Sequence, residues 1–377
     1  MNGGKFLFLG EYTGFAGGIE RYAFQTAALL RARGARVDWC GRVPARDETA
    51  FRRGFDHVFT PEQVTDDGYD LAALHKLPTP ETLHRWRELF GDRLVFWAHD
   101  HDLYCPRRHY YTPFGRVNCH RAYAPFRCAL CARIASPRSR RFLRRGQSRL
   151  LRELREHRAA VLSSFMRDNL LRNGFASDQV FLLPPVIPET PPAAAAPAGE
   201  TLHVLFLGQL IRGKGADLLL DALFRLAAPW RARLVGDGGD RPMLEKRVRQ
   251  AGFGERVEFT GWQTDPDPEL AACDAVVFPS RWQEPFGLSG AEAAAHGKPV
   301  VAFDVGGVRE WLEDGVNGFL VPENNTALLA EKLALLQRDP ALRLRMGAAG
   351  RRLARERFSA ERFLQSFRTL LNGVAAS

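Results

Sequence analysis

Between residues 184 and 199 the chain cannot form a regular element. Pro184-Pro185-Val186-Ile187-Pro188 is followed by Pro191-Pro192, the alanines Ala193 to Ala196, Pro197, Ala198 and Gly199. Proline has no backbone N–H, so it supports neither a strand ladder nor a helix interior. The stretch reads as a semi-rigid linker over 186–200. It divides the 377 residues into two halves of similar size, each long enough for a domain. No internal repeat is visible, and low complexity is confined to the linker.

Both halves alternate short apolar runs with helical segments. Phe6 to Leu9 is an apolar strand ending at Gly10, and the helix that follows runs from about Gly18 to Gly34, a glycine placed to end it. Arg36 to Trp39 and Leu94 to Trp97 are further strands, and Thr79-Pro80 opens a helix with a capping threonine and a first-turn proline. After the linker, Leu202 to Leu207, Ala275 to Phe278 and Pro299 to Phe303 are continuous apolar runs bounded by glycine or proline. Such runs between helices predict buried parallel strands. The expected fold class is α/β, with two doubly wound domains. Ligands of such sheets sit beyond the carboxyl ends of the strands, and a cleft between the two domains is the default site.

Hydrophobic residues make up 45% of the chain and charged residues 25%, enough apolar material for two cores and too much for a disordered chain. No run of about 18 apolar residues suggests a membrane span, and the block Phe6 to Leu9 is too short for a signal peptide. These features lead to the expectation of a cytoplasmic chain. Its six cysteines are then thiols or metal ligands before disulfides. The net charge of +10 is uneven: residues 1–190 hold 30 basic and 20 acidic side chains, and the remainder holds 23 of each. The basic half implies an anionic partner, either a membrane surface, an acidic substrate or nucleic acid; the alternative is a solvated arginine-rich face.

Two segments of the second half carry specific chemistry. Gly208-Gln209-Leu210-Ile211-Arg212-Gly213-Lys214-Gly215 joins the first strand of that half to a helix starting near Ala216. Its glycines let the backbone approach a ligand, the helix N-terminus favours an anion, and Arg212 and Lys214 add positive charge. It lacks the spacing of a P-loop and of the dinucleotide fingerprint. Glu284-Pro285-Phe286-Gly287-Leu288-Ser289-Gly290-Ala291-Glu292 follows the strand ending at Pro279-Ser280, with a helix beginning near Ser289. Two carboxylates flanking a helix N-terminus suit a ligand that carries hydroxyls beside a phosphate: carboxylates accept from sugar hydroxyls, and backbone N–H groups take the phosphate.

Glu284 to Glu292, with seven residues between the two glutamates, resembles the two-glutamate motif of retaining family 4 glycosyltransferases. Gly208 to Gly215 resembles the diphosphate loop of that family. Asp274 to Ser280, Gly297 to Ala302 and Asp314 to Val321 resemble further standard segments in the same order, over roughly 202–360. The resemblance implies the GT-B fold, two Rossmann-like domains facing a central cleft, and sugar transfer from a nucleotide-sugar donor with retention and no required divalent metal. The implied domains are an acceptor-side domain over 1–185 with an insertion at 100–158, the linker, and a nucleotide-sugar domain over 201–377 whose last helix packs back on the first domain. Gln209 stands where the family usually has an arginine on the diphosphate, so Arg212 is the substitute. Gly236 and the run Phe259-Thr260-Gly261 lie where the family packs base and ribose, or else end strands. Phe286, Gly287, Leu288, Ser289 and Glu292 complete the implied donor site.

In the first half, Gly17-Gly18-Ile19-Glu20 resembles the family's glycine pair and, read by itself, is a βα loop open to anions. His99 follows the strand Leu94 to Trp97 and resembles the active-site histidine of the family; a histidine at a strand's carboxyl end faces the site. Cys105, Cys119, Cys128 and Cys131 form a loop cluster with a two-residue knuckle at Cys128 to Cys131. A structural zinc is one reading, with His101, His109 or His120 as replacement ligands; incidental thiols or disulfides are the other. Cys40 and Cys273 read as buried hydrophobes. Arg133 to Arg158 holds ten arginines and two glutamates with Leu143, Leu150, Leu151 and Leu154 interleaved, a basic amphipathic helix for anionic lipid, with nucleic acid as the runner-up partner.

The expected protein is a retaining hexosyltransferase acting on a nucleotide-sugar donor and a sugar, lipid-linked or other hydroxyl acceptor, in polysaccharide, lipopolysaccharide or glycolipid synthesis. Its expected place is the cytoplasm or the inner face of the plasma membrane. Lys214 and Arg212 neutralise the leaving diphosphate, Glu284 and Glu292 hold hydroxyls, and His99 positions sugar and acceptor. The rival readings are an epimerase-like enzyme on the same fold and a non-catalytic nucleotide- or RNA-binding protein.

Overall fold

A computed structural model describes residues 3–112, 117–134, 146–189, 201–227 and 229–375. The chain forms two compact units, Met1–Val186 with Ala360–Ser377, and Ile187–Ser359. Of the expected linker, residues 190–200 lie outside the described residues. Within the second unit the Ile187 N–H donates to the Phe358 carbonyl at 3.1 Å, so the chain enters and leaves that unit side by side.

The first unit is built on seven strands: β1 Lys5–Leu9, β2 Arg36–Cys40, β3 Val58–Phe59, β4 Leu71–Leu74, β5 Leu94–Ala98, β6 Ala159–Val161 and β7 Val180–Leu182. All pair in parallel, in the order β3-β2-β1-β4-β5-β6-β7. Phe6 to Leu9, Leu71 to Leu74 and Leu94 to Ala98 are buried along their whole length, as strands covered on both faces must be. The helix Gly18–Arg31 crosses from β1 to β2 and ends before Gly34, whose φ is +79°. Thr79 caps the helix Pro80–Phe90 by accepting from the Thr82 N–H at 3.3 Å.

The last helix, Ala360–Ala375, belongs to this unit although it follows the whole of the second in the chain. It buries Phe363, Leu364, Phe367, Leu370 and Val374. The Phe367 ring lies edge-on to Phe6 at 5.2 Å and 6.3 Å from Trp97. It packs on Phe6 of β1 and Trp97 of β5.

One expectation for the arginine-rich region is corrected. Within the insertion at 100–158, Leu103, Tyr104, Cys105 and Tyr110 are buried in the main apolar cluster of the unit. In the helix Gln147–Leu154, Leu150, Leu151 and Leu154 face that same core and are not free for lipid. Leu143 lies outside the described residues.

The second unit holds six strands: β8 Leu202–Leu207, β9 Trp230–Val235, β10 Val257–Gly261, β11 Ala275–Phe278, β12 Val300–Phe303 and β13 Gly318–Val321. They too are all parallel, in the order β10-β9-β8-β11-β12-β13. In both sheets the strand order reverses once, between β1 and β4 in the first and between β8 and β11 in the second. At such a switch point the two following loops leave in opposite directions and open a crevice at the carboxyl ends.

Deleting the Phe367 side chain removes the ring that packs on Phe6 and Trp97. Phe367→Ala should lower the unfolding free energy of the first unit by about 3–5 kcal/mol, read by chemical denaturation. A loss below about 1 kcal/mol would mean that the last helix is not integral to that unit.

Candidate functional site

The second unit places both motif segments at its switch point. The loop Gly208 to Gly215 leaves β8, and the segment Ser280 to Glu284 leaves β11. The loop makes one turn of 3₁₀ helix at Arg212–Lys214 before the helix Ala216–Leu223. Gly215 joins the two with φ +74°, and a Cβ there would meet the Pro279 carbonyl oxygen at 1.9 Å. No other residue fits that corner.

Arg281 holds the loop against β11. It is 8% exposed, donates from Nη1 to the Arg212 carbonyl at 2.7 Å, and forms a two-pronged pair with Asp217 at 2.6 and 2.7 Å. The Arg281 N–H also donates to the Gly213 carbonyl at 2.8 Å. Burial opposes the charge on Asp217, but the guanidinium outweighs it and holds the carboxyl below its ordinary range.

Lys214 and Glu284 meet directly. Lys214 Nζ lies 2.8 Å from Glu284 Oε1, and Ser280 Oγ donates to the same oxygen at 2.6 Å. Glu284 is 6% exposed, and its backbone is enclosed as well, since the Gly307 N–H donates to the Glu284 carbonyl at 2.7 Å. Gly306 in turn donates to the Gln283 side chain at 2.7 Å. The helix Leu288–Ala295 starts after Gly287, whose φ is +89°. The Gly290 and Ala291 N–H groups donate back to the Gly287 carbonyl at 3.1 and 3.3 Å, which leaves Leu288 and Ser289 as the first-turn N–H groups without an intrahelical acceptor, and Glu292 lies one turn in, buried at 7%. Phe286 is buried, whereas Leu288 and Ser289 are half-buried.

Three glycines close the ends of neighbouring strands. The Gly236 N–H donates to the Gly261 carbonyl at 2.8 Å, and the Gly208 N–H to the Val235 carbonyl at 3.0 Å. A Cβ on Gly236 would fall 1.9 Å from the Gly208 carbonyl oxygen, so the backbone is bare and close-packed there. Thr260 precedes Gly261 half-buried, while Gln209 and Arg212 are exposed. The structure thus brings Gly208, Gln209, Arg212, Lys214, Gly236, Thr260, Gly261, Glu284 and the Phe286–Glu292 segment to the carboxyl edge of one sheet. Ser280, Arg281, Asp217, Gln283, Gly306 and Gly307 were not legible in the sequence. Only contacts across the switch point reveal their roles.

The first unit has its own polar group at its switch point. His99 follows β5, and Gly17 and Gly18 begin the first helix with Glu20 buried in its first turn. Burial raises the Glu20 carboxyl above its ordinary range. Lys76 lies 2.8 Å from Asp100 and 2.9 Å from Asp102. Burial opposes the Lys76 charge, but the two carboxylates outweigh it and raise its pKa. Burial lowers the His99 pKa to about 3, and nearby Lys76 adds to the effect, so the imidazole is neutral at pH 7.

Cys105, Cys119, Cys128 and Cys131 are all free thiols. Among the described residues no group of three or more histidines, cysteines or carboxylates is placed to hold a metal. Burial pushes the Cys105 thiol up to about 12 and raises Cys128 and Cys131. His101, a candidate replacement ligand, is bonded to Tyr104 Oη at 2.7 Å and stacked on Tyr110. Cys40 and Cys273 are buried at 1% and 7%. No helix among the described residues is long and apolar enough to cross a membrane.

Residues 190–353 match the sequence profile of the family described as glycosyl transferases group 1. The chain is 33% identical over 168 residues to a lipopolysaccharide core biosynthesis glycosyltransferase, LpsE, of Rhizobium meliloti, covering 45% of this chain and 49% of that protein. It is 34% identical over 148 residues to the alpha-D-kanosaminyltransferase of Streptomyces kanamyceticus, covering 38% of each chain. The chain therefore spans half or less of the length of these two relatives. The crystal structure of Anabaena Alr3699/HepE in complex with UDP-glucose is similar over 97% of this chain and 99% of that one, with a TM-score of 0.73 and 22% identity. Sucrose-phosphate synthase from Thermosynechococcus elongatus is similar over 99% and 100%, with a TM-score of 0.72 and 21% identity. This likeness shows the fold, the GT-B class of two Rossmann-like units.

The Arg281–Asp217 pair gives the second unit a pH-dependent contribution. Because the folded pKa of Asp217 is lowered, the pair stabilises above the unfolded value of about 3.9 and is lost as pH falls through the folded value. Asp217→Asn should cost about 1–3 kcal/mol at pH 7, and the gap from wild type should close at acid pH. A gap that stays constant from neutral to acid pH would show that the charge on Asp217 is not what holds the loop.

Proposed function

We propose that the protein is a retaining glycosyltransferase, moving a sugar from a nucleotide-diphosphate sugar to a hydroxyl acceptor in polysaccharide, lipopolysaccharide or glycolipid synthesis. The observation that carries this reading is the switch point of the second unit, where Lys214, Glu284 and Ser280 adjoin a helix N-terminus with Glu292 one turn inside. The group 1 match over 190–353 spans the same residues, and the lipopolysaccharide core relatives support the envelope context.

In this reading the donor diphosphate lies on the loop Gly208 to Gly215. Lys214 releases Glu284 to meet the diphosphate, and Arg212, already exposed, adds the second positive charge. Charge grows on the leaving phosphate as the sugar departs, so cations fixed there stabilise the transition state more than the ground state. Glu284, released from Lys214 but still held by Ser280, accepts from sugar hydroxyls, and Glu292 accepts from the ribose. Gly236, Thr260 and Gly261 form a bare backbone edge for the nucleoside. His99, being neutral, serves as a hydrogen-bonding group for sugar or acceptor. The acceptor proton passes to the departing phosphate, so no separate base is required. Glu292→Gln should weaken binding of a nucleoside diphosphate by about 1.5–3 kcal/mol per lost charged bond, because the ribose belongs to substrate and product alike. Lys214→Ala should lower turnover at saturating donor beyond its effect on donor affinity. Wild-type nucleotide binding by the first variant would reverse the donor orientation, and normal turnover by the second would take the leaving-group role from Lys214.

The same proposal includes an anionic membrane surface as the first unit's partner. The helix Pro125–Ile134 leaves Phe126 at 93% and Leu130 at 56% exposure, one turn apart, with Val117 at 56% nearby in the chain. Arg121 and Arg127 are exposed in the same segment. Apolar side chains for the acyl boundary beside cations for phosphate headgroups suit an anionic lipid surface. Binding to anionic vesicles should fall steeply as salt rises, since screening acts within about 10 Å at 0.1 M, and Phe126→Ser should weaken it further. Equal binding to neutral vesicles would remove the electrostatic basis.

A further inference from the structure

The carboxyl ends of β4 and β5 carry two histidines that touch. His75 Nδ1 and His99 Nε2 are 2.7 Å apart, and their rings stack with centroids 5.0 Å apart and planes 24° apart. His75 is 2% exposed and His99 8%. The His75 backbone N–H donates to the Leu9 carbonyl at 2.8 Å, which fixes its place beside β1.

The rest of the His75 ring is enclosed by aromatic side chains. Phe8 lies 4.7 Å away, Trp97 5.3 Å, Trp39 6.1 Å and Tyr22 6.3 Å between ring centroids. The polar atoms of these walls are already engaged: Trp97 Nε1 donates to Tyr22 Oη at 3.1 Å, and Trp39 Nε1 to the Tyr12 carbonyl at 2.9 Å. His75 Nε2 is buried with no hydrogen-bond partner.

Burial holds both rings well below the ordinary histidine range, so at pH 7 each carries one ring proton. Two arrangements of the two protons satisfy the bond between the rings. If His99 donates from Nε2, the His75 proton is forced onto Nε2, and a buried N–H is left without an acceptor. If His75 donates from Nδ1, only a lone pair is left in the aromatic box. Orphaned buried donors are rarer than orphaned acceptors, and a group stripped of water without a partner bears its full desolvation cost.

We propose that His75 is a positioning residue that donates Nδ1–H to His99 Nε2 and thereby fixes His99 as the Nδ1–H tautomer, a neutral donor at the end of β5. The functional consequence rests on the transfer reaction proposed above. His99 then offers N–H to a sugar or acceptor oxygen, and its basic nitrogen is occupied by His75, so it accepts no proton during transfer. The tautomer itself is a property of the protein alone.

The test has two independent arms. Long-range ¹H–¹⁵N spectra of histidine-labelled protein at pH 7, assigned with the His75→Asn and His99→Asn variants, should show His99 with a protonated Nδ1 and an unprotonated Nε2. The reverse pattern overturns the proposal whether or not the chain transfers sugar. In the second arm His75→Phe fills the box without a donor, and His75→Asn returns an N–H near the Nδ1 position. The Phe variant should lose about tenfold in kcat, one hydrogen bond's worth, with uridine diphosphate binding unchanged. The Asn variant should recover most of that loss. Wild-type kcat in the Phe variant, or equal losses in Phe and Asn variants that both bind uridine diphosphate and melt like wild type, would refute the positioning role. If the Phe variant does not fold, the spectra and the Asn variant still decide the matter.

Discussion

The geometry of the second unit depends on one pairing, the two-pronged contact of Arg281 with Asp217. It crosses from the strand end of β11 to the first turn of the helix after β8, and so bridges the switch point where the sheet would otherwise open. The same guanidinium donates to the Arg212 carbonyl, which sets the path of the glycine loop. A loop of bare backbone has many conformations available, and ordering it costs roughly 1–2 kcal/mol per residue. A buried arginine whose guanidinium bonds both the loop and its helix supplies that order before any ligand arrives.

With the loop held in place, the charges around it neutralise one another. Lys214 rests on Glu284, and Ser280 fixes the same carboxylate oxygen. A ligand bearing a diphosphate and hydroxyls offers each partner a replacement: anionic oxygens for the lysine, hydroxyl donors for the glutamate. Exchange of one paired state for another avoids the cost of leaving either charge alone in a half-buried site. The site is thus organised and still open to reaction, which is how electrostatic stabilisation gains most.

The first unit solves a related problem with neutral groups. Lys76 sits between Asp100 and Asp102, so its charge is spent locally. His75 and His99 sit among aromatic rings where a charged imidazole is disfavoured. Directional hydrogen bonding, not charge, is what that strand end presents.

Much of the architecture was legible in the chain itself. Continuous apolar runs such as Phe6 to Leu9 and Leu202 to Leu207 report strands buried on both faces, and the proline-rich stretch after Pro184 separates two such sets. The spacing from Glu284 to Glu292, and the glycines from Gly208 to Gly215, marked the switch point of the second sheet, because helix periodicity and backbone access are local properties. The tertiary structure decided what depends on distant parts of the chain meeting. It turned the Leu150, Leu151 and Leu154 stripe inward, because an amphipathic face does not specify which apolar surface will cover it. It set Phe367, some 350 residues from β1 in sequence, edge-on against Phe6. It also joined Arg281 to Asp217 and His75 to His99, pairs that lie 64 and 24 residues apart. Parallel pairing brings the ends of strands remote in sequence to one edge, and only there do such side chains become neighbours.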